Sequence, residues 1–131
     1  MNLQNLLQQR EDNNNPVTVG LIGGGKFGSM FLAQARLTTG LHVAAIADLR
    51  PDGVRANLAA TGWPTEQYNA NSAEEALRVR STYVGDDAAA MIATGGIDII
   101  IDATGDPASG INHALLCVKH GKHVIMVNVE A

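Results

Sequence analysis

Apolar and polar positions alternate along the chain in two rhythms, one of period near 3.6 and one of short β-branched runs. Residues 3–10 place Leu3, Leu6 and Leu7 at helical spacing among glutamines, and Asn13-Asn14-Asn15-Pro16 breaks the pattern. This predicts a short leading helix that docks on the main body or frays, with a partner-binding helix as the alternative. After Pro16 the two rhythms interleave. Residues 17–22 read as a β-branched strand, a glycine cluster follows, and 26–37 read as a helix with Phe27, Met30 and Phe31 on one side. Thr38-Thr39-Gly40 ends that helix, and residues 41–47 form a second strand closed by Asp48. Pro51 suits a first helical position, and Val54 and Leu58, with Ala59, give a helical face up to Gly62.

Residues 63–71 are irregular, with Trp63 as a loop anchor. Ser72 followed by Glu75 is a capping-box pattern opening a helix to about Arg80. Residues 82–84 are a short strand, and Asp86 or Asp87 caps an alanine-rich helix that runs to Gly95-Gly96. The apolar run 97–103 is a fourth strand. Pro107 or Ala108 opens a further helix, in which Ile111, Ala114, Leu115 and Val118 fall at i, i+3, i+4 and i+7, and Gly121 stops it. Residues 123–127 are the last strand. Strand and helix alternating in this way predict an α/β fold: a doubly wound parallel sheet with crossover helices on both faces. The reading divides the chain into a leading helix and linker (1–15) and one domain (16–131).

Composition narrows the function classes. The 131 residues are 46% hydrophobic but only 4% aromatic, which suits closely packed parallel strands and not a base-stacking surface. A formal charge of −4 and no basic stripe argue against nucleic acid as a partner. The single Cys117 excludes an internal disulfide framework and fits a reducing compartment. The first residues lack the basic and apolar regions of a signal peptide, and no apolar run approaches a bilayer-spanning length. The expectation is a cytoplasmic, soluble protein with no membrane partner.

The candidate chemistry begins at Gly23-Gly24-Gly25-Lys26-Phe27-Gly28, which matches G-x-G-x-x-G between a strand and a helix. Asp48, at the end of the second strand, stands where the ribose-binding acid of such a motif is expected. Gly23 permits the tight turn, Gly25 lets a pyrophosphate approach the backbone, and Gly28 lets the helix pack on the sheet. The helix N-terminus offers unpaired N–H groups to the phosphates. A ligand-free glycine turn is the bland alternative. Gly20 and Gly25-Lys26 also satisfy part of a P-loop, but Phe27 stands where the Mg²⁺-binding hydroxyl is required. A methyltransferase binding S-adenosylmethionine is a further rival, disfavoured by the dinucleotide-type spacing. Asp48 points to NAD; Arg50, two residues on, could pair with the 2′-phosphate of NADP, so the choice stays open.

Ala103-Thr104-Gly105-Asp106-Pro107 falls at the end of the fourth strand, on the edge where such sheets bind ligands. Small residues there admit a flat ring, and Thr104 offers a hydroxyl. His113, His120 and His123 near Cys117 do not match a zinc spacing, so no metal site is expected. Asp102 is either buried and perturbed or a cap for the following turn.

The run Val19 to Met30, together with Asp102-Ala103-Thr104-Gly105 and the stretch Gly121 to Ala131, resembles the N-terminal domain of homoserine-dehydrogenase-like oxidoreductases. Within that group it is most similar to the branch carrying a C-terminal SAF domain, which includes reductoisomerase-like enzymes acting on 1-deoxy-D-xylulose 5-phosphate. The resemblance implies an NAD(P)-dependent oxidoreductase transferring hydride between the nicotinamide and a small carbonyl or hydroxy substrate. It implies that Gly23, Gly25 and Gly28, with Lys26 and Phe27 between them, hold the pyrophosphate. Asp48 or Arg50 would meet the adenosine ribose, and Thr104 and Gly105 the nicotinamide side. Homoserine dehydrogenases carry a catalytic lysine after the fifth strand, where this chain has Asn128-Val129-Glu130. Glu130 becomes the candidate substrate contact. On this reading the domain is truncated after its fifth strand and is inactive alone, and any homo-oligomer forms through the missing C-terminal region. The alternative is a stand-alone dinucleotide-sensing or interaction module.

Overall fold

The β-branched runs assemble into one parallel sheet because a helical crossover separates each strand from the next. The computed structural model describes residues 2–127, apart from the side chain of Lys26. Its strands are β1 (Val17–Ile22), β2 (Leu41–Ala47), β3 (Tyr83–Gly85), β4 (Ile99–Asp102) and β5 (His123–Met126). Their order across the sheet is β3-β2-β1-β4-β5, and every neighbouring pair is parallel. The chain therefore winds outward from β1 through β2 to β3, then crosses back to lay β4 on the other side of β1. That reversal opens a crevice at the carboxyl ends of β1 and β4. The expected α/β doubly wound fold is what forms.

The helices are α1 (Leu3–Asp12), α2 (Lys26–Ala35), α3 (Pro51–Ala60), α4 (Ala73–Val79), α5 (Ala88–Ala93) and α6 (Pro107–Lys119), with a 3-10 turn at Thr65–Gln67. Two apolar layers sandwich the sheet. Leu32 and Ala35 of α2 and Val54 and Leu58 of α3 pack with Leu21 and Ile46 on one face. Ala73 of α4, Met91 and Ile92 of α5 and Cys117 of α6 pack with Ile22 and Ile100 on the other. Local signals set the helix starts. Ser72 Oγ accepts from Glu75 N at 3.0 Å, Asp87 Oδ1 from Ala90 N at 3.0 Å, and Pro107 follows an Asp106 cap. Trp63 is buried and donates through Nε1 to Leu32 O at 3.2 Å, the anchoring expected of it.

The leading helix docks through polar contacts. Arg80 pairs with Glu11, Arg10 Nη2 donates to Pro16 O at 3.3 Å, and no residue of α1 is buried. Among the described residues no helix is long and apolar enough to cross a membrane.

The structure decides which side of two helices meets the sheet. In α2 the sheet-facing positions are Gly28, Leu32 and Ala35, while Phe27 and Met30 are exposed. Gly28 must meet the β1 turn, and that contact sets the rotation of the whole helix. In α6 the buried positions are Gly110 and Cys117, with His113 and Ala114 half-buried between them. Ile111, Leu115 and Val118 point outward, at 52%, 65% and 78% exposure. The strong apolar spacing in α6 therefore marks its outer face. β5 is an edge strand whose four residues are all exposed.

Candidate functional site

A cleft of about 360 Å³ opens at the carboxyl ends of β1, β2 and β4. Gly23, Gly25, Asp48, Thr104, Asp106 and His113 are among the residues that line it. Its floor is the turn between β1 and α2. Gly23 has φ +94°, and a Cβ there would stand 2.9 Å from the Ala103 carbonyl oxygen. Its N–H donates to Ala47 O at 2.8 Å, so the turn is braced against the strands on both sides. A Cβ on Gly28 would press into the Gly23 carbonyl oxygen, which is why α2 can start directly beneath the turn. Gly25 is different. It is the N-cap of α2, and a Cβ there would meet nothing within 4 Å. The helix start has no side-chain cap and no acid in its first turn, so among the described residues its first N–H groups have no side-chain acceptor.

Asp48 closes β2 and is half-buried. Its Oδ2 accepts from Gly24 N at 2.7 Å and its Oδ1 from Arg50 N at 2.8 Å. Each oxygen thus takes one amide and keeps lone-pair capacity for another donor. The carboxylate is held in place by the same turn that it would serve.

The far wall is built on Asp102, the last residue of β4, which is fully buried. Its Oδ1 accepts from Thr104 N at 3.0 Å and from Thr104 Oγ1 at 2.9 Å. Its Oδ2 lies 2.9 Å from His113 Nδ1. Asp102 is therefore both buried and a cap for the turn. Asp106 caps α6, its Oδ2 accepting from Ser109 N at 3.3 Å. One turn below His113, burial pushes the Cys117 thiol pKa up; the Asp102 charge adds to the rise and Lys122 opposes it.

The structure thus brings Gly23, Gly25, Asp48 and Thr104 into one cleft, with Gly28 in support beneath. Phe27, Arg50 and Gly105 do not line it. Phe27 is turned outward by the rotation of α2. Arg50 is exposed at the start of α3, and its guanidinium makes no hydrogen bond among the described residues. Gly105 serves the turn, at φ +75°. The side chain of Lys26 and Glu130, with Asn128 and Val129, lie outside the described residues. Sequence reasoning missed His113 and Ser109 as lining residues. The available signal was Asp102: an acid closing an apolar strand must find a buried donor. Among the described residues no cluster of three His, Cys, Asp or Glu could hold a metal ion. A larger cavity of about 570 Å³ lies at the other end of the sheet, beside Gly40, His42 and the Glu11–Arg80 pair. It faces the amino end of β2, away from the crevice.

No protein-family model matches the chain, and no curated protein is similar to it. Solved structures are. An NAD-binding oxidoreductase from Klebsiella pneumoniae superposes with TM-score 0.59 at 18% identity, over 85% of this chain and 27% of its own. A myo-inositol dehydrogenase from Lactobacillus casei, in complex with NAD(H) and myo-inositol, gives 0.60 at 18% identity over 85% and 28%. A levoglucosan dehydrogenase, in complex with NADH and L-sorbose, gives 0.58 at 21% identity over 85% and 27%. The chain spans little more than a quarter of the length of these proteins. At such identities the likeness establishes the Rossmann-type fold.

Proposed function

We propose that the chain is the NAD(P)-binding domain of an oxidoreductase. The observation that carries the reading is the glycine turn. Gly23 and Gly28 are closed in by backbone, whereas Gly25, at an uncapped helix start, faces open space in the cleft. A pyrophosphate fits that place, since the bare backbone admits it and the helix N-terminus attracts it. Asp48 stands in the same cleft, ready to accept from ribose hydroxyls and to repel a 2′-phosphate. Arg50 does not line the cleft, so the reading favours NAD over NADP. Thr104 lines the wall on the nicotinamide side. The bound dinucleotide would supply or take up hydride; the chain's own residues bind and orient it. The solved neighbours named with NAD(H) or NADH lend support, as proteins of like fold.

A small carbonyl or hydroxy compound as substrate belongs to the same proposal, as do a substrate domain elsewhere in the full protein and a cytoplasmic setting. The homoserine-dehydrogenase-like branch rests on the sequence resemblance alone. Fluorescence titration of the 131-residue chain with NADH and NADPH tests the reading. Saturable binding, tighter for NADH, is expected. Failure of both to bind at millimolar concentration overturns it.

A further inference from the structure

The buried Asp102–His113 pair is a feature of the cleft that the glycine turn and Asp48 do not account for. Asp102 is fully buried, and three donors surround it: the amide and hydroxyl of Thr104 and the His113 ring. With the carboxylate accepting throughout, Nδ1 carries the ring proton and Nε2 is the nitrogen left over. The ring is held on a regular helix between the buried Gly110 and Cys117, and its side chain is only 12% exposed. Nε2 has no hydrogen-bond partner among the described residues, and His113 lines the cleft. A histidine that only satisfied Asp102 would need neither of those last two properties.

We propose that His113 is a ligand-contacting residue. Asp102 fixes its imidazole so that Nε2 accepts a hydrogen bond from a ribose hydroxyl of the bound dinucleotide. The inference rests on the dinucleotide reading of the cleft and extends it to the β4–α6 wall.

Imidazole ¹H–¹⁵N correlation spectra of the whole chain, with the four histidines assigned, follow a titration with NADH. The His113 Nε2 resonance is expected to move saturably while Nδ1 keeps the signature of a protonated nitrogen. His120 and His123, both exposed, should stay still. His113→Asn keeps an amide donor for Asp102 and deletes Nε2. It is expected to bind NADH about two- to tenfold more weakly, the loss of one polar contact, with an unchanged urea midpoint. Binding of NADH by the wild type with a silent Nε2, or with full affinity in His113→Asn, overturns the inference and leaves the dinucleotide reading standing. No binding by the wild type overturns both. If the Asn variant does not fold, the wild-type spectrum decides alone.

Discussion

Gly23→Ala is the sharpest perturbation of the cleft. The new methyl group would stand 2.9 Å from Ala103 O, 3.0 Å from Ala103 C and 3.1 Å from Thr104 N. All three are backbone atoms of the neighbouring strand end, so no side-chain rotation relieves the contact. Residue 23 also sits at φ +94°, where an L side chain costs about 1–2 kcal/mol. Overpacking against fixed atoms adds about 1–3 kcal/mol. The sum, about 2–5 kcal/mol, is a large part of the roughly 5–15 kcal/mol that holds a domain folded. For a chain of this size it corresponds to a fall in Tm of roughly 8–20 °C. Thermal unfolding followed by circular dichroism reads it directly. Gly25→Ala is the matched control, because a Cβ there meets nothing within 4 Å and the backbone φ is −73°. It should melt within about 2 °C of wild type and bind NADH at least about tenfold more weakly. If Gly23→Ala melts like wild type, or Gly25→Ala melts as early as Gly23→Ala, the assignment of separate structural and binding glycines fails.

Leu32→Ala, in the buried face of α2, should cost about 2–5 kcal/mol, while Leu115→Ala on the exposed stripe of α6 should stay within about 0.5 kcal/mol. Urea unfolding of the two variants checks this, and equal costs would refute the assigned helix faces. His42 is buried, with Nε2 2.6 Å from Ser81 O. Burial pushes its pKa below the ordinary histidine value, against the upward pull of the Ser81 bond, and the Arg80 charge adds to the fall. As pH drops through roughly 6.5 the unfolded chain takes the proton first, so stability is whole above that range and lost below it. The urea midpoint should fall between about pH 7.5 and about pH 5.5, and the slope should flatten in His42→Gln; the same slope in both proteins would remove His42 as its source.

Much of the architecture was legible because it follows from backbone rules. The strand–helix alternation, the turn glycines, the Ser72 cap and the Pro107 start are local signals, and each appears where the residues predicted it. The glycine spacing located the floor of the cleft for the same reason, since each glycine answers to a near-neighbour steric demand. The helix faces were less legible. Apolar spacing tells which residues share a side, not which side meets the sheet. In α2 a single close contact at Gly28 decided the rotation and exposed Phe27 and Met30. In α6 the sheet side is small and partly polar, running through Gly110, His113 and Cys117, and the louder stripe of Ile111, Leu115 and Val118 lies outward.

The wall of the cleft lay furthest from the sequence because its residues are joined by pairings and not by period. Asp102 binds Thr104 two residues on and His113 eleven residues on, across a turn whose shape those bonds themselves help to set. No spacing rule links a strand end to the second turn of the next helix. The physical constraint is different in kind: a fully buried carboxylate must be surrounded by donors, or the strand end could not be buried at all. The Gly23 turn presses against Ala103, the residue that follows Asp102, so the two walls of the cleft bear on each other through backbone. The loop that would receive the phosphates and the strand end whose acid holds His113 are therefore one mechanical unit. A glycine motif identifies the first from sequence, while the second becomes visible only when the partners of one buried acid are counted.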